Sequence, residues 1–238
     1  MRAHRNVQIG DVSLSREDIA LLVPPCWIND QLITAAFELL RRRLPGDDRL
    51  YAVGASEAMM MAHLDDPSQL RLLFEPLKLR TRHLVLLPVS DHDEPDLAGG
   101  THWSLLAFYR SDGVESFFHF DSLSHMNAAS AEHLARRVAP LLGTRQTHVV
   151  ACPTPKQTNG YDCGMYTIQI AEICAAHMGE DVVAIGEIIN SEVTPQAIRN
   201  RRIAFIRTLQ EMLGETAPEA VSPAACAVGG HESAPGSI

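Results

Sequence analysis

Apolar positions at Leu32, Ile33, Ala36, Phe37 and Leu40 recur at the spacing of one helix face. Asn29 or Asp30 can cap the start of that helix, and Arg41-Arg42-Arg43 fall in its last turn, where cations complement the dipole. Upstream, Ser15 followed by Glu17-Asp18 and an apolar run predicts a short capped helix over 11–22, stopped at Pro24-Pro25. Two more helices are predicted over 55–63 and 68–75, with Met59-Met60-Met61 as core filler. The unbroken apolar run Leu84 to Val89 predicts a strand buried on both faces. Residues 101–109 and 114–120 read as a hairpin around the turn signal Ser111-Asp112-Gly113. An amphipathic helix over 128–142 closes at Gly143, and a strand follows over 147–151. From Met165 to Met178 polar residues are scattered, so this helix is buried nearly all round. Further helix is expected over 181–213, clearest from Arg199 to Leu213. Beyond Gly214 periodicity stops and Ala, Pro, Gly and Ser dominate, which predicts a disordered tail over 215–238 after one domain over 1–214.

Composition narrows the function classes. At 238 residues and 46 % apolar content the chain can bury a sizeable core. Its formal net charge of −9 argues against nucleic acid, whose partners carry a basic footprint. No run reaches the roughly 18 apolar residues of a membrane span, and residues 1–6 lack the apolar core of a secretory signal. Five cysteines without paired spacing argue against a disulfide framework and a structural zinc site, and point to a reducing compartment.

The chemistry concentrates after Pro153-Thr154-Pro155-Lys156, an irregular loop that runs into the buried helix at Asp162-Cys163-Gly164. A thiol there meets the helix dipole and free N–H groups, which stabilise a thiolate and can stabilise an oxyanion. Asp162 suits an N-cap, and Gly164 suits close approach of a substrate backbone. Taken alone, Cys163 reads equally as a small buried hydrophobe. The hairpin changes that reading. If Asp112-Gly113 form a two-residue turn, His102 and Asp121 are diagonal neighbours on one face; a turn one residue earlier sets them directly opposite. Either way an imidazole meets a carboxylate, which fixes its tautomer and supports its charged form. With Cys163 the pair makes a nucleophile–base–orienter set. The acidic run Asp91-His92-Asp93-Glu94-Pro95-Asp96 taken alone reads as a solvated loop.

Four segments carry a resemblance: Trp27-Ile28-Asn29-Asp30, Gly100 to Leu106, Phe118 to Ser122, and Gln157 through Asp162-Cys163-Gly164-Met165-Tyr166. Over about residues 10–213 the chain resembles the Ulp/sentrin-specific cysteine proteases, most closely their small deneddylase branch. The order His, Asp, Gln, Cys separates it from papain-type enzymes. The resemblance implies an α+β, papain-like fold with a central mixed or antiparallel sheet packed by helices. It implies Cys163 as nucleophile, His102 as base and acid, Asp121 as orienter and Gln157 as oxyanion donor. It implies Trp27, Asp30, Thr101, Trp103 and Gly164 around the substrate, the two tryptophans forming a tunnel over a diglycine tail. No metal or cofactor is implied. The implied partner is a ubiquitin-like modifier, Nedd-eight (Rub), and its conjugates such as cullins, handled by a monomer in the cytoplasm or nucleus. SUMO or ubiquitin specificity is the near alternative. Serine/threonine acetyl transfer by effector proteins of similar residue order is the distant one, and it needs no two-tryptophan tunnel. Asp30 and the acidic loop, hinged at Gly99-Gly100, are expected to discriminate among modifiers.

Overall fold

The computed structural model describes residues 6–44, 48–92, 99–111 and 113–214. The expected tail over 215–238 and residues 93–98 of the acidic run lie outside the described residues. In chain order the elements are β1 (Val7–Ile9), β2 (Val12–Leu14), α1 (Arg16–Ala20), α2 (Asp30–Arg43), β3 (Leu50–Ala52), α3 (Ala55–His63), α4 (Pro67–Phe74), β4 (Leu84–Ser90), β5 (Trp103–Ser111), β6 (Val114–Phe120), α5 (Ala128–Leu142), β7 (Val149–Cys152), α6 (Cys163–Ala176), α7 (Val182–Glu192) and α8 (Pro195–Leu213).

Strands β3 to β7 form one mixed sheet in sequence order, antiparallel through β4, β5 and β6 and parallel at both edges. Alternate residues feed two cores. Leu84, Leu86, Leu105, Ala107 and Phe120 face the layer of α2, α6, α7 and α8. Val85, Leu87, Leu106, Phe108 and Phe117 face α3, α4 and α5. The central β4 is therefore buried on both faces, as its unbroken apolar run requires.

Two differences from the sequence reading have local causes. The short β1–β2 hairpin and β3 were not anticipated, because three-residue strands carry too few alternations to read. Strand β5 starts at Trp103 and not at Thr101, because the Asp91 carboxylate accepts the N–H groups of Thr101 (2.6 Å) and His102 (3.0 Å). The pairing Ser111↔Val114 selects the two-residue turn, so His102 and Asp121 are diagonal at the open end of the β5–β6 hairpin.

Candidate active site

The β5–β6 hairpin brings His102 and Asp121 together just beyond its paired residues, both buried. His102 Nε2 lies 2.6 Å from Asp121 Oδ1. A carboxylate can only accept, so Nε2 carries the proton and donates. In the neutral ring Nδ1 then presents a lone pair, and it is buried with no hydrogen-bond partner among the described residues. Burial would lower the His102 pKa, but the hydrogen bond and charge of Asp121, with Cys163 beside the ring, outweigh it and push it up to about 9. The burial of Asp121 is offset likewise. His102 and the N–H groups of Asn127 (3.0 Å) and Leu123 (2.8 Å) hold its pKa down to about 2.

Cys163 opens α6, whose residues are buried for almost their whole length. Asp162 occupies the N-cap position, yet its side chain accepts nothing from the helix, which corrects the expected capping role. Its carboxylate is instead taken by Arg202 of α8 at 2.7 Å and by Asn159 Nδ2 at 2.7 Å. A buried carboxylate finds a stronger partner in a guanidinium than in an amide dipole. The first-turn N–H groups beside the thiol are thus left without a side-chain cap, and a helix N-terminus in that condition suits an anion. Gly164 is required by packing. A Cβ there would meet Ile28 Cγ1 at 2.5 Å, so the close approach expected of a substrate backbone is made by Ile28.

Gln157 is buried in the loop before α6 and is fixed at both ends of its amide. Ser122 Oγ donates to Oε1 at 2.8 Å, and Nε2 donates to the Asn159 carbonyl at 2.7 Å. One Nε2 proton remains for another acceptor.

Cys163 lies on a cleft of about 880 Å³ that Trp27, Asp30, Thr101 and Trp103 also line. The sequence reading grouped these four, and the structure brings them to one surface, with Trp27 47 % exposed. Gly164 does not line it. Asp30 is the first residue of α2 and does not cap it, because Asn29 Oδ1 accepts the Leu32 N–H at 3.0 Å. Among the described residues the Asp30 carboxylate makes only long contacts, to Gln31 at 3.5 Å and Ser56 at 3.3 Å. Asp91, expected in a specificity loop, is half-buried and committed to hydrogen bonds with Thr101 and His102. It also accepts the Thr101 hydroxyl, so it staples the residue before His102. Gly100 beside it sits at φ +88°, a conformation that favours glycine.

Some contributors were missed. Met59 and Met60 line the cleft, and only Met61 of that run is core. Asn127 donates to the carbonyls of Val89 (3.1 Å) and His102 (3.2 Å), and Arg202 donates to the Tyr161 carbonyl (3.3 Å) as well as to Asp162. Met59 and Met60 share one apolar run with the buried Met61, and Asn127 and Arg202 likewise carry no signal in the linear chain. Cys152, Cys163 and Cys174 are free.

The family described as "Ulp1 protease family, C-terminal catalytic domain" matches residues 84–201, a span that contains His102, Asp121, Gln157 and Cys163. The chain is 32 % identical over 197 residues to human sentrin-specific protease 8, covering 81 % of this chain and 90 % of that protein. It is 33 % identical over 165 residues to NEDD8-specific protease 1 of Arabidopsis thaliana, covering 68 % and 72 %. In fold it is similar to the C-terminal Ulp1 protease domain solved with Smt3, the yeast orthologue of SUMO. That match has a TM-score of 0.61 at 20 % identity and covers 90 % of each chain.

Proposed function

The chain belongs to the Ulp1 protease family and is a cysteine protease, and from that premise we propose that it cleaves after the C-terminal diglycine of NEDD8. The observation that carries the mechanism is the buried His102–Asp121 pair, with the second ring nitrogen left open and Cys163 close enough to raise the ring's pKa. In this reading the Cys163 thiol gives its proton to Nδ1 of His102 and the thiolate attacks the glycine carbonyl. The oxyanion meets the N–H of Cys163 and the remaining Nε2 proton of Gln157. The imidazolium then protonates the leaving amine, a lysine side chain or a peptide nitrogen, and leaves a thioester. Water, deprotonated by His102, hydrolyses the thioester and restores the thiol.

Substrate choice follows from the cleft. Trp27 and Trp103 flank the approach to Cys163 and suit a narrow diglycine tail. Asp30 offers a carboxylate held only by long contacts to Gln31 and Ser56, suited to the arginine that precedes the diglycine in modifiers of this type. The name of one relative, NEDD8-specific protease 1, favours NEDD8 over SUMO. The proposal extends, on resemblance alone, to a monomer acting on conjugates such as cullins in the cytoplasm or nucleus. The test is kcat/KM on C-terminal fluorophore conjugates of NEDD8, SUMO and ubiquitin. NEDD8 should be the best substrate by at least about tenfold, and a preference for SUMO would overturn the specificity.

A further inference from the structure

We infer that Ser122 is a positioning residue for the oxyanion donor, and that the dipeptide Asp121-Ser122 orients both halves of the catalytic apparatus. The inference rests on the reading that Cys163 is the nucleophile and Gln157 its oxyanion donor.

The two residues follow β6 directly and divide their work. Asp121 turns to His102 at 2.6 Å. Ser122 turns to the loop before α6, where it grips Gln157 twice. Its carbonyl accepts the Gln157 N–H at 3.1 Å, and its hydroxyl donates to Oε1 at 2.8 Å. Ser122 is 3 % exposed, so the contact is shielded from competing water.

The chemistry of the acceptors fixes the direction of the amide. The Asn159 carbonyl can only accept, so the amide atom 2.7 Å from it must be Nε2. The other end is then Oε1, and its one partner among the described residues is the Ser122 hydroxyl. A side-chain amide has a broad terminal torsion, so one contact leaves it free to swing and two opposed contacts hold its plane. An oxyanion donor contributes by being aimed before charge develops, so a swinging amide loses part of its effect. If Oε1 swung toward the developing oxyanion, it would repel it. Ser122 therefore acts on rate through Gln157 and has no contact of its own with substrate.

The test compares Ser122→Ala, Gln157→Ala and the double variant, by kcat, KM and the rate of Cys163 alkylation by iodoacetamide. Alkylation displaces iodide at carbon and develops no oxyanion, so it reports the thiolate and His102 alone. Gln157→Ala should lower kcat by roughly 10²–10³. Ser122→Ala should lower kcat by about tenfold, within the range of one net hydrogen bond, with KM and the alkylation rate unchanged. The double variant should be no slower than Gln157→Ala, because a residue acting through another has no effect once the other is gone. Unchanged kcat in Ser122→Ala beside a slow Gln157→Ala overturns this inference alone. Slowed alkylation in Ser122→Ala, or losses that add in the double variant, also overturns it by showing action through Asp121 or the fold. Full activity in Gln157→Ala overturns the oxyanion reading itself, and the inference with it.

Discussion

Asp30 shows how one side chain can be freed for binding by its neighbour. Asn29 supplies the cap of α2, so the Asp30 carboxylate has no structural duty that an amide could not fill. We predict that Asp30→Asn leaves the melting temperature in place. It should lower kcat/KM for a NEDD8 conjugate by roughly 10- to 150-fold, the equivalent of a charged hydrogen bond of about 1.5–3 kcal/mol. A lower melting temperature with kcat/KM intact would assign Asp30 to the helix and end its role in recognition. The sequence left this choice open, since Asn and Asp cap equally well and lie side by side. By contrast His102, Asp121 and Cys163 were legible as a set. Two of them close the open end of one hairpin, and the third marks a proline-rich loop that gives way to an apolar helix. Ser122 was not legible, because its role depends on a residue 35 positions away.

Two elements far apart in the chain, α6 and α8, are joined at the point where the thiol sits. Arg202 of α8 reaches the Asp162 carboxylate at 2.7 Å, with both side chains nearly inaccessible. The same guanidinium donates to the carbonyls of Tyr161 and Leu21, so it ties the start of α6 to the segment after α1. Removing one partner of a buried ion pair strands the other charge, at a cost of about 3–5 kcal/mol. We predict that Arg202→Ala lowers the unfolding free energy by that amount in a denaturant titration. A loss under about 1 kcal/mol would mean that water or another cation already satisfies Asp162. Both helices were visible in the apolar pattern, but their junction was not. Arg202 reads in sequence as one of several solvent-facing arginines on an amphipathic helix. Only the fold, which returns α8 across the N-terminus of α6, shows that it faces inward. Asp91 was misread in the opposite sense, since it looks solvated in sequence and proves to be a staple for Thr101 and His102.

For the molecule as a whole, burial of titratable groups makes stability a function of pH. Asp121 has its folded pKa lowered from 3.8 to about 2, so its contribution is present above 3.8 and lost as pH falls through about 2. Burial lowers His119 from 6.5 to about 4, so its contribution is present above 6.5 and lost as pH falls through about 4. His102 is raised from 6.5 to about 9, so its contribution is complete below 6.5 and lost as pH rises through about 9. Together these three groups place maximum stability near pH 6.5. We predict that denaturant midpoints fall on both sides of it, and that Asp121→Asn flattens the alkaline limb by removing the charge that raises His102. An alkaline limb unaltered in that variant would show that the pair does not carry the linkage. The two-layer packing around the sheet was legible in outline, because β4 and α6 are apolar on every face and must lie inside. The cleft was not, because its walls come from α2, α3 and the β4–β5 connection, which meet only in the folded protein.

The central claim is that Cys163 is the nucleophile at the end of that cleft. The most direct measurement is peptide-mapped mass spectrometry of the whole chain after brief exposure to NEDD8 bearing a C-terminal thiol-reactive trap. A single adduct on Cys163, absent in Cys163→Ala, is the predicted result. An adduct on Cys152 or Cys174, or undiminished labelling of Cys163→Ala, would contradict the account.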